Sequence, residues 1–144
     1  MGPAIVAVTG TLLGSLLTFL VGDMRARRDR RRQDLAAAIK AVLEGAVRLR
    51  NRQYLKHAAR RNDEADGPEA REARYDARTN LTSALDTLYL ATGDRQLLAA
   101  AQEAFDTAVA LGDAEGDQQI EAAGLRARQA HTALRTAGAD TLHG

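Results

Sequence analysis

The chain has 144 residues, of which 45% are hydrophobic and none is cysteine, and its net charge is +1. This length provides one soluble domain of ordinary size. The absence of cysteine excludes a disulfide framework, a thiolate metal site and a thiol nucleophile. Alanine, leucine and arginine are abundant, whereas β-branched and aromatic residues are scarce, so the composition predicts an all-α fold.

The first element is an uncharged stretch from Pro3 to Gly22. At 1.5 Å per residue it measures roughly 30 Å, which is the thickness of a hydrocarbon core. Basic residues follow it rather than precede it, which argues against a cleaved secretory signal and predicts that the C-terminal side is cytoplasmic. We therefore expect a single-pass protein of the cell membrane, with residues 1–24 as the transmembrane anchor and its N-terminus outside. Residues 25–144 would form a cytoplasmic helical domain; a buried core helix is the alternative for the apolar stretch.

Small residues recur at every fourth position of this stretch. They are Gly10, Gly14, Thr18 and Gly22. In lipid, such a stripe lets two helix backbones approach closely, so it predicts association with a second copy or with another membrane helix. The alternative is that glycine is simply frequent in transmembrane helices.

An arginine cluster follows the apolar stretch. Its members are Arg25, Arg27, Arg28, Arg30, Arg31 and Arg32. Contact with the anionic surface of the lipid bilayer is the simplest interpretation. Contact with nucleic-acid phosphates is a less favoured alternative, because basic residues continue as far as Arg61 but no aromatic residues are interleaved for base stacking.

Four amphipathic segments with short connections predict an antiparallel bundle of about four helices. Their expected ranges are 25–61, 68–92, 95–111 and 117–136. Asn62–Gly67 reads as a turn, after which Pro68 begins the next helix. We expect Gly93 to close that helix in the left-handed conformation, Asp94 to cap the following one, and Gly112 to end it.

The charges are segregated along the chain. Met1–Arg61 carries 13 basic and 4 acidic residues, whereas Asn62–Gly144 carries 7 basic and 15 acidic ones. This predicts that helices from the two halves lie against each other, with surplus positive charge at the membrane end. Few core positions have large side chains, which favours oligomerisation or a partner.

No residue pattern indicates catalysis. His57, His131 and His143 lack ligand spacing, and neither Ser15 nor Ser83 lies in a nucleophile-elbow pattern. The carboxylates and arginines that alternate over residues 69–78 read as a solvated face with weak ion pairs. We therefore expect a non-enzymatic protein with no metal, no cofactor and no small-molecule substrate.

The order of elements resembles a known class of proteins. A GTLLGSLLTFLVG segment, an RARRDRRR run and an alanine-rich helical domain are similar to the Kil-type and Spd-type plasmid spread proteins of mycelial actinobacteria. The resemblance implies an accessory role in moving conjugative plasmid DNA between mycelial compartments, beside a membrane DNA translocase. A second hypothesis is a membrane-tethered adaptor that binds a cytoplasmic partner through Leu81, Leu85 and Leu88. Direct, sequence-independent DNA binding is the third.

Overall fold

A computed structural model of the chain describes the backbone of residues 2–144 and the side chains of residues 13–144. The described part is all α-helical, as predicted. It comprises α1 (Gly2–Arg61), α2 (Pro68–Ala91), α3 (Arg95–Asp113) and α4 (Gly116–His143). The chain divides into two compact units, Met1–Asp34 and Leu35–Gly144.

The prediction of a transmembrane helix over Pro3–Gly22 is wrong for the part of the chain that the structure describes. No helix in that part is long and apolar enough to cross a membrane. Within residues 13–144, the uncharged part of α1 ends at Gly22, and Asp23 and the arginines follow it directly. The predicted localisation as a single-pass membrane protein depended on this helix and is wrong for the same reason. The side chains of residues 3–12 lie outside the described residues.

The end of α1 explains the turn that the sequence predicts over Asn62–Gly67. Asp63 adopts a left-handed conformation, with φ of 54°. The Glu64 N–H donates to Ala59 O at 2.9 Å and the Asp63 N–H to Arg60 O at 3.2 Å, which is the Schellman pattern of hydrogen bonds. Pro68 then begins α2, as expected.

The connection from α2 to α3 confirms one predicted cap and corrects another. Asp94 Oδ1 accepts hydrogen bonds from the backbone N–H groups of Gln96 and Leu97, at 3.0 and 3.1 Å, so Asp94 is the N-cap of α3. Gly93 is not left-handed: α2 ends at Ala91, and the backbone of its C-cap, Thr92, is extended, with φ of −147°. An extended C-cap requires no glycine.

The expected end of α3 at Gly112 is also wrong. The helix continues to Asp113, and Gly112 is a buried helical residue. Gly116 begins α4 with a positive φ of 76°, a conformation that glycine adopts without steric cost. Helix α4 is longer than predicted, because it runs on to His143.

Residues 35–61 of α1 pack with the other three helices as an up-and-down bundle. Gly45 of α1 faces Leu81 of α2, and Gly138 of α4 faces Ile39 of α1. The end of α3 lies at the end of α1, where His57 contacts Leu111. Neighbouring helices in sequence therefore run antiparallel, which confirms the predicted helical bundle.

Alanines and leucines fill the core of Leu35–Gly144. The largest fully buried side chains are Val42, Leu49, Leu81, Leu88, Leu97, Leu111 and Leu134. A main cluster joins all four helices, and a smaller one forms around Leu111, Ala114 and Ala123. Most other core positions are alanine, so the helices approach one another closely.

Candidate functional site

The expected partner face has a structural role in this chain. Leu81, Leu85 and Leu88 are all buried, and they belong to the main core cluster together with residues of α1, α3 and α4. Their spacing along α2 is the 3.6-residue periodicity of a helix that faces a core. They contact other helices of the same chain.

The small-residue stripe lies in the Met1–Asp34 unit. Gly10 falls outside the residues whose side chains are described. A Cβ at Gly14 or at Gly22 would meet nothing within 4 Å. The Thr18 hydroxyl donates to Gly14 O at 2.9 Å, so its hydrogen-bonding capacity is used within the helix.

The arginine cluster of residues 25–32 is exposed along its length. Arg27 forms an ion pair of 2.8 Å with Asp23, one turn earlier. The other arginines of the cluster form no ion pair with a described residue. The surface therefore carries concentrated positive charge, and its contact with a membrane surface or with phosphate remains a prediction.

A basic groove lies in the Leu35–Gly144 unit, where the second half of α1, the start of α2 and the end of α3 meet. The groove has a volume of about 260 Å³. Its floor includes Leu49, Val109 and Gly112. Its walls carry the cations Lys56, Arg71, Arg74 and Arg78, and Tyr75 lies among them. An adjoining recess adds Arg52.

Two of these cations are already engaged. The Arg74 guanidinium donates two hydrogen bonds to the Asp66 carboxylate, and the one from Nη1 to Oδ1 measures 2.8 Å. The hydrogen bond from Arg74 holds the pKa of the Asp66 carboxyl below its ordinary value. Lys56 Nζ donates to Gly112 O at 2.8 Å. Arg74 therefore fixes α2 against the turn that precedes it, and Lys56 fixes the end of α3 against α1.

Arg71 and Arg78 differ from these two cations. Both are exposed, and neither forms a hydrogen bond or an ion pair with a described residue. They lie three residues before and four residues after Arg74, so all three occupy one side of α2. Asp113 is the one acidic residue of the groove lining. The groove thus offers two unengaged guanidinium groups beside an exposed aromatic ring.

The sequence prediction did not include this groove. Residues 69–78 read as a solvated face, yet the described ion pair of this segment joins Arg74 to Asp66 in the preceding turn. The cations of α1 and α2 become neighbours only through antiparallel packing. The available sequence signal was the spacing of Arg71, Arg74 and Arg78 around Tyr75.

Two histidines occupy the bundle without forming a metal site. His57 is buried, and its Nε2 lies 2.6 Å from Leu111 O, so the ring carries its proton on Nε2. His131 Nδ1 is buried without a hydrogen-bond partner, and burial lowers the pKa of this ring, helped by Arg50 and Arg135. Among the described residues, no group of three potential ligands comes together.

The fold and surface define an all-α, helical-bundle protein with a basic groove at one end. The model of a protein family described as KilB plasmid transfer protein matches residues 36–142. The chain therefore belongs to the KilB plasmid transfer protein family, which confirms its resemblance to Kil-type proteins and assigns it a role in plasmid transfer. Neither the curated proteins nor the solved structures provide a match.

The family match coincides with one structural unit. Residues 36–142 are almost the whole of the Leu35–Gly144 bundle. The bundle, which carries the basic groove in this chain, is therefore the part that matches the family model. The apolar segment and the arginine cluster of residues 13–34 lie outside the match.

Proposed function

We propose that this protein is a non-enzymatic accessory factor in the conjugative transfer and spread of a plasmid between mycelial compartments, and that it acts by self-association and protein contacts. Family membership supports the role in transfer. The observation that supports self-association is an exposed apolar surface on α1. The occupant that we infer for this surface is a second copy of the chain.

The apolar surface consists of large side chains between Leu13 and Met24. Leu17 is 66% exposed and Phe19 is 72% exposed. Further exposed members are Leu13, Leu16, Leu20, Val21 and Met24. Soluble chains rarely leave so many neighbouring apolar side chains uncovered, and such patches usually mark contact surfaces.

The spacing of these residues favours a second copy as the occupant. Leu13, Leu17, Leu20 and Met24 follow one another in steps of four, three and four residues. This is the spacing of a coiled-coil seam, in which each helix offers the same knobs and holes to its neighbour. Gly14 lies beside the seam and would allow close approach of a partner backbone there, whereas Thr18 and Gly22 lie progressively farther around the helix, away from the seam.

The charge of the arginine cluster should make this self-association depend on salt. In a parallel pair of helices, the arginine clusters of two copies would lie side by side and repel each other. Salt screens such repulsion, since the Debye length falls from about 10 Å at 0.1 M to about 3 Å at 1 M. We therefore expect self-association to strengthen with salt, the opposite of an association held by ion pairs.

The test measures the mass of the full chain by sedimentation equilibrium at low and high salt. The double variant Leu17→Glu, Leu20→Glu should be a monomer under conditions in which the unchanged chain is an oligomer. Leu90→Glu is the matched control, because Leu90 is 91% exposed on α2 and lies outside the seam. A chain that is monomeric at all concentrations and salts would overturn the proposal.

Gly14, which lies beside the seam, provides a second comparison. If helices pack through Gly14, then Gly14→Ile should dissociate the oligomer as effectively as the leucine changes. The functional readout is the frequency of plasmid transfer in matings complemented with each variant. Monomeric variants that still restore full transfer would separate self-association from function and contradict the proposed mechanism.

A further inference from the structure

We propose that the basic groove binds single-stranded nucleic acid, with Arg71 and Arg78 on backbone phosphates and Tyr75 stacked on a base. This inference concerns the Leu35–Gly144 bundle and does not depend on self-association through α1. It rests on the placement of the three side chains, on the freedom of the two arginines, and on the charge of their surroundings.

The two arginines are positioned to contact successive parts of one strand. Seven residues separate Arg71 from Arg78, which is two helical turns, or about 10 Å along α2. Between them, the side chain of Arg74 is hydrogen-bonded to Asp66 and holds α2 against the preceding turn. Arg71 and Arg78 form no hydrogen bond or ion pair with a described residue, so neither has to release such a partner before it binds an anion. Arg71 also lies near enough to Asp66 to help lower the pKa of that carboxyl.

Tyr75 is the feature that distinguishes nucleic acid from other anions. Its side chain is 73% exposed, although it lines a groove that also includes Leu49 and Val109. Exposed aromatic rings beside basic residues are the platforms on which single-stranded bases stack. In a duplex the bases are already stacked on one another, and an acidic peptide would gain little from the ring.

The positive charge of the groove contrasts with that of the bundle. Residues 35–144 carry 14 basic and 16 acidic residues. The groove and its adjoining recess nevertheless collect five cations and two carboxylates, and one of the carboxylates, Asp66, is neutralised by Arg74. The remaining carboxylate is Asp113. A concentrated positive field in a nearly neutral domain directs an anionic strand to this place.

The experiment measures binding of the full chain to a fluorescent oligodeoxythymidylate of about 16 nucleotides, by anisotropy, at a series of salt concentrations. The variants are Arg71→Ala with Arg78→Ala, and Tyr75→Leu. The matched control replaces Arg95 and Arg126, two exposed arginines elsewhere in the bundle, with alanine. Circular dichroism verifies that every variant keeps its helix content.

The two groove variants should fail in different ways. Loss of two phosphate contacts should weaken binding and reduce the slope of log affinity against log salt by about 1.4, at 0.7 per contact for a single strand. Tyr75→Leu should weaken binding roughly tenfold and leave the slope unchanged, because stacking releases no counterions. The control should bind like the unchanged chain.

The exposed arginine cluster of residues 25–32 is a second place where a strand could bind. A background variant with Arg30, Arg31 and Arg32 changed to glutamine separates the two surfaces. In that background, the groove variants must still reduce affinity; equal affinity with and without Arg71 and Arg78 would overturn the proposal. Duplex DNA that binds as tightly as the single strand, or polyglutamate that displaces it at equal charge concentration, would overturn it as well.

Discussion

The approach of α4 to α1 at Gly124 provides a sharp test of the packing. A Cβ at Gly124 would overlap the Tyr54 hydroxyl and lie 3.2 Å from Tyr54 Cζ. Gly124→Ala therefore forces Tyr54 out of its position in the smaller core cluster and breaks its hydrogen bond with Arg128, whose Nη1 donates to Tyr54 Oη at 3.3 Å.

Two effects of opposite sign determine the magnitude. Alanine is favoured over glycine inside a helix by about 1 kcal/mol, whereas overpacking costs about 1–3 kcal/mol. We expect Gly124→Ala to lower the free energy of unfolding by about 1 kcal/mol. Tyr54→Phe should change it little, because among the described residues the hydroxyl bonds to the exposed Arg128 alone.

The double variant isolates the steric overlap. In Gly124→Ala with Tyr54→Phe, the overlapping oxygen is absent and only the 3.2 Å approach to Cζ remains. A small shift of the ring relieves that approach, so most of the preference of the helix for alanine should be recovered. The coupling energy between the two changes should be about 1–3 kcal/mol. Urea unfolding followed by circular dichroism measures all four proteins; coupling indistinguishable from zero would show that Tyr54 does not contact α4 at Gly124.

Three further predictions concern the turn and the response to pH. Asp63→Gly should raise the free energy of unfolding by about 0.5–1 kcal/mol, since Asp63 has φ of 54°; an unchanged thermal midpoint would argue against the Schellman turn. The hydrogen bond from Arg74 to Asp66 and that from the Thr141 hydroxyl to Asp94 hold the pKa values of both carboxyl groups below the ordinary 3.8. The stability that these hydrogen bonds add is complete above pH 3.8, and it is lost as the pH falls through the lower pKa values of the folded protein. Thr141→Val should make thermal midpoints measured from pH 5 to pH 2 fall less steeply, and an identical acid profile would contradict this assignment. Burial holds the pKa of His131 below 6.5, so the unfolded chain binds the proton first and the free energy of unfolding should decline as the pH falls through 6.5. His131→Gln should remove that decline. A decline that persists in the variant would assign it to another group.

Sequence patterns predicted the local structure of this chain well. The helical periodicity located all four segments of the bundle, and Asp94 was identified as a cap because its residue type and position suit only that role. Glycines were less informative. Gly112 was predicted to end a helix, but it lies inside α3 at a close contact with α1, and Gly124 lies inside α4 at another. The same residue type serves as a helix breaker and as a point of close approach, and only packing distinguishes the two roles.

The candidate site required tertiary information. Helix α2 provides Arg71, Tyr75 and Arg78, whereas α1 provides Lys56. The predicted antiparallel packing brings these two segments together, but it does not say which of their side chains share a groove. Segregated charge predicted that the two halves of the chain would attract each other. Among the described residues, a single ion pair, Arg61 with Asp117 at 3.5 Å, joins α1 to the acidic half. Apolar burial holds the bundle together instead.

The contacts at the end of α3 also determine how the bundle opens. The last carbonyls of a helix have no partner within it, and here two adjacent residues of α1 bind them: Lys56 binds Gly112 O and His57 binds Leu111 O. The final turn of α3 cannot unwind without releasing both side chains from α1. In native-state hydrogen exchange, the amides of these two helix ends should therefore exchange through one shared opening event, with equal free energies and equal dependence on denaturant.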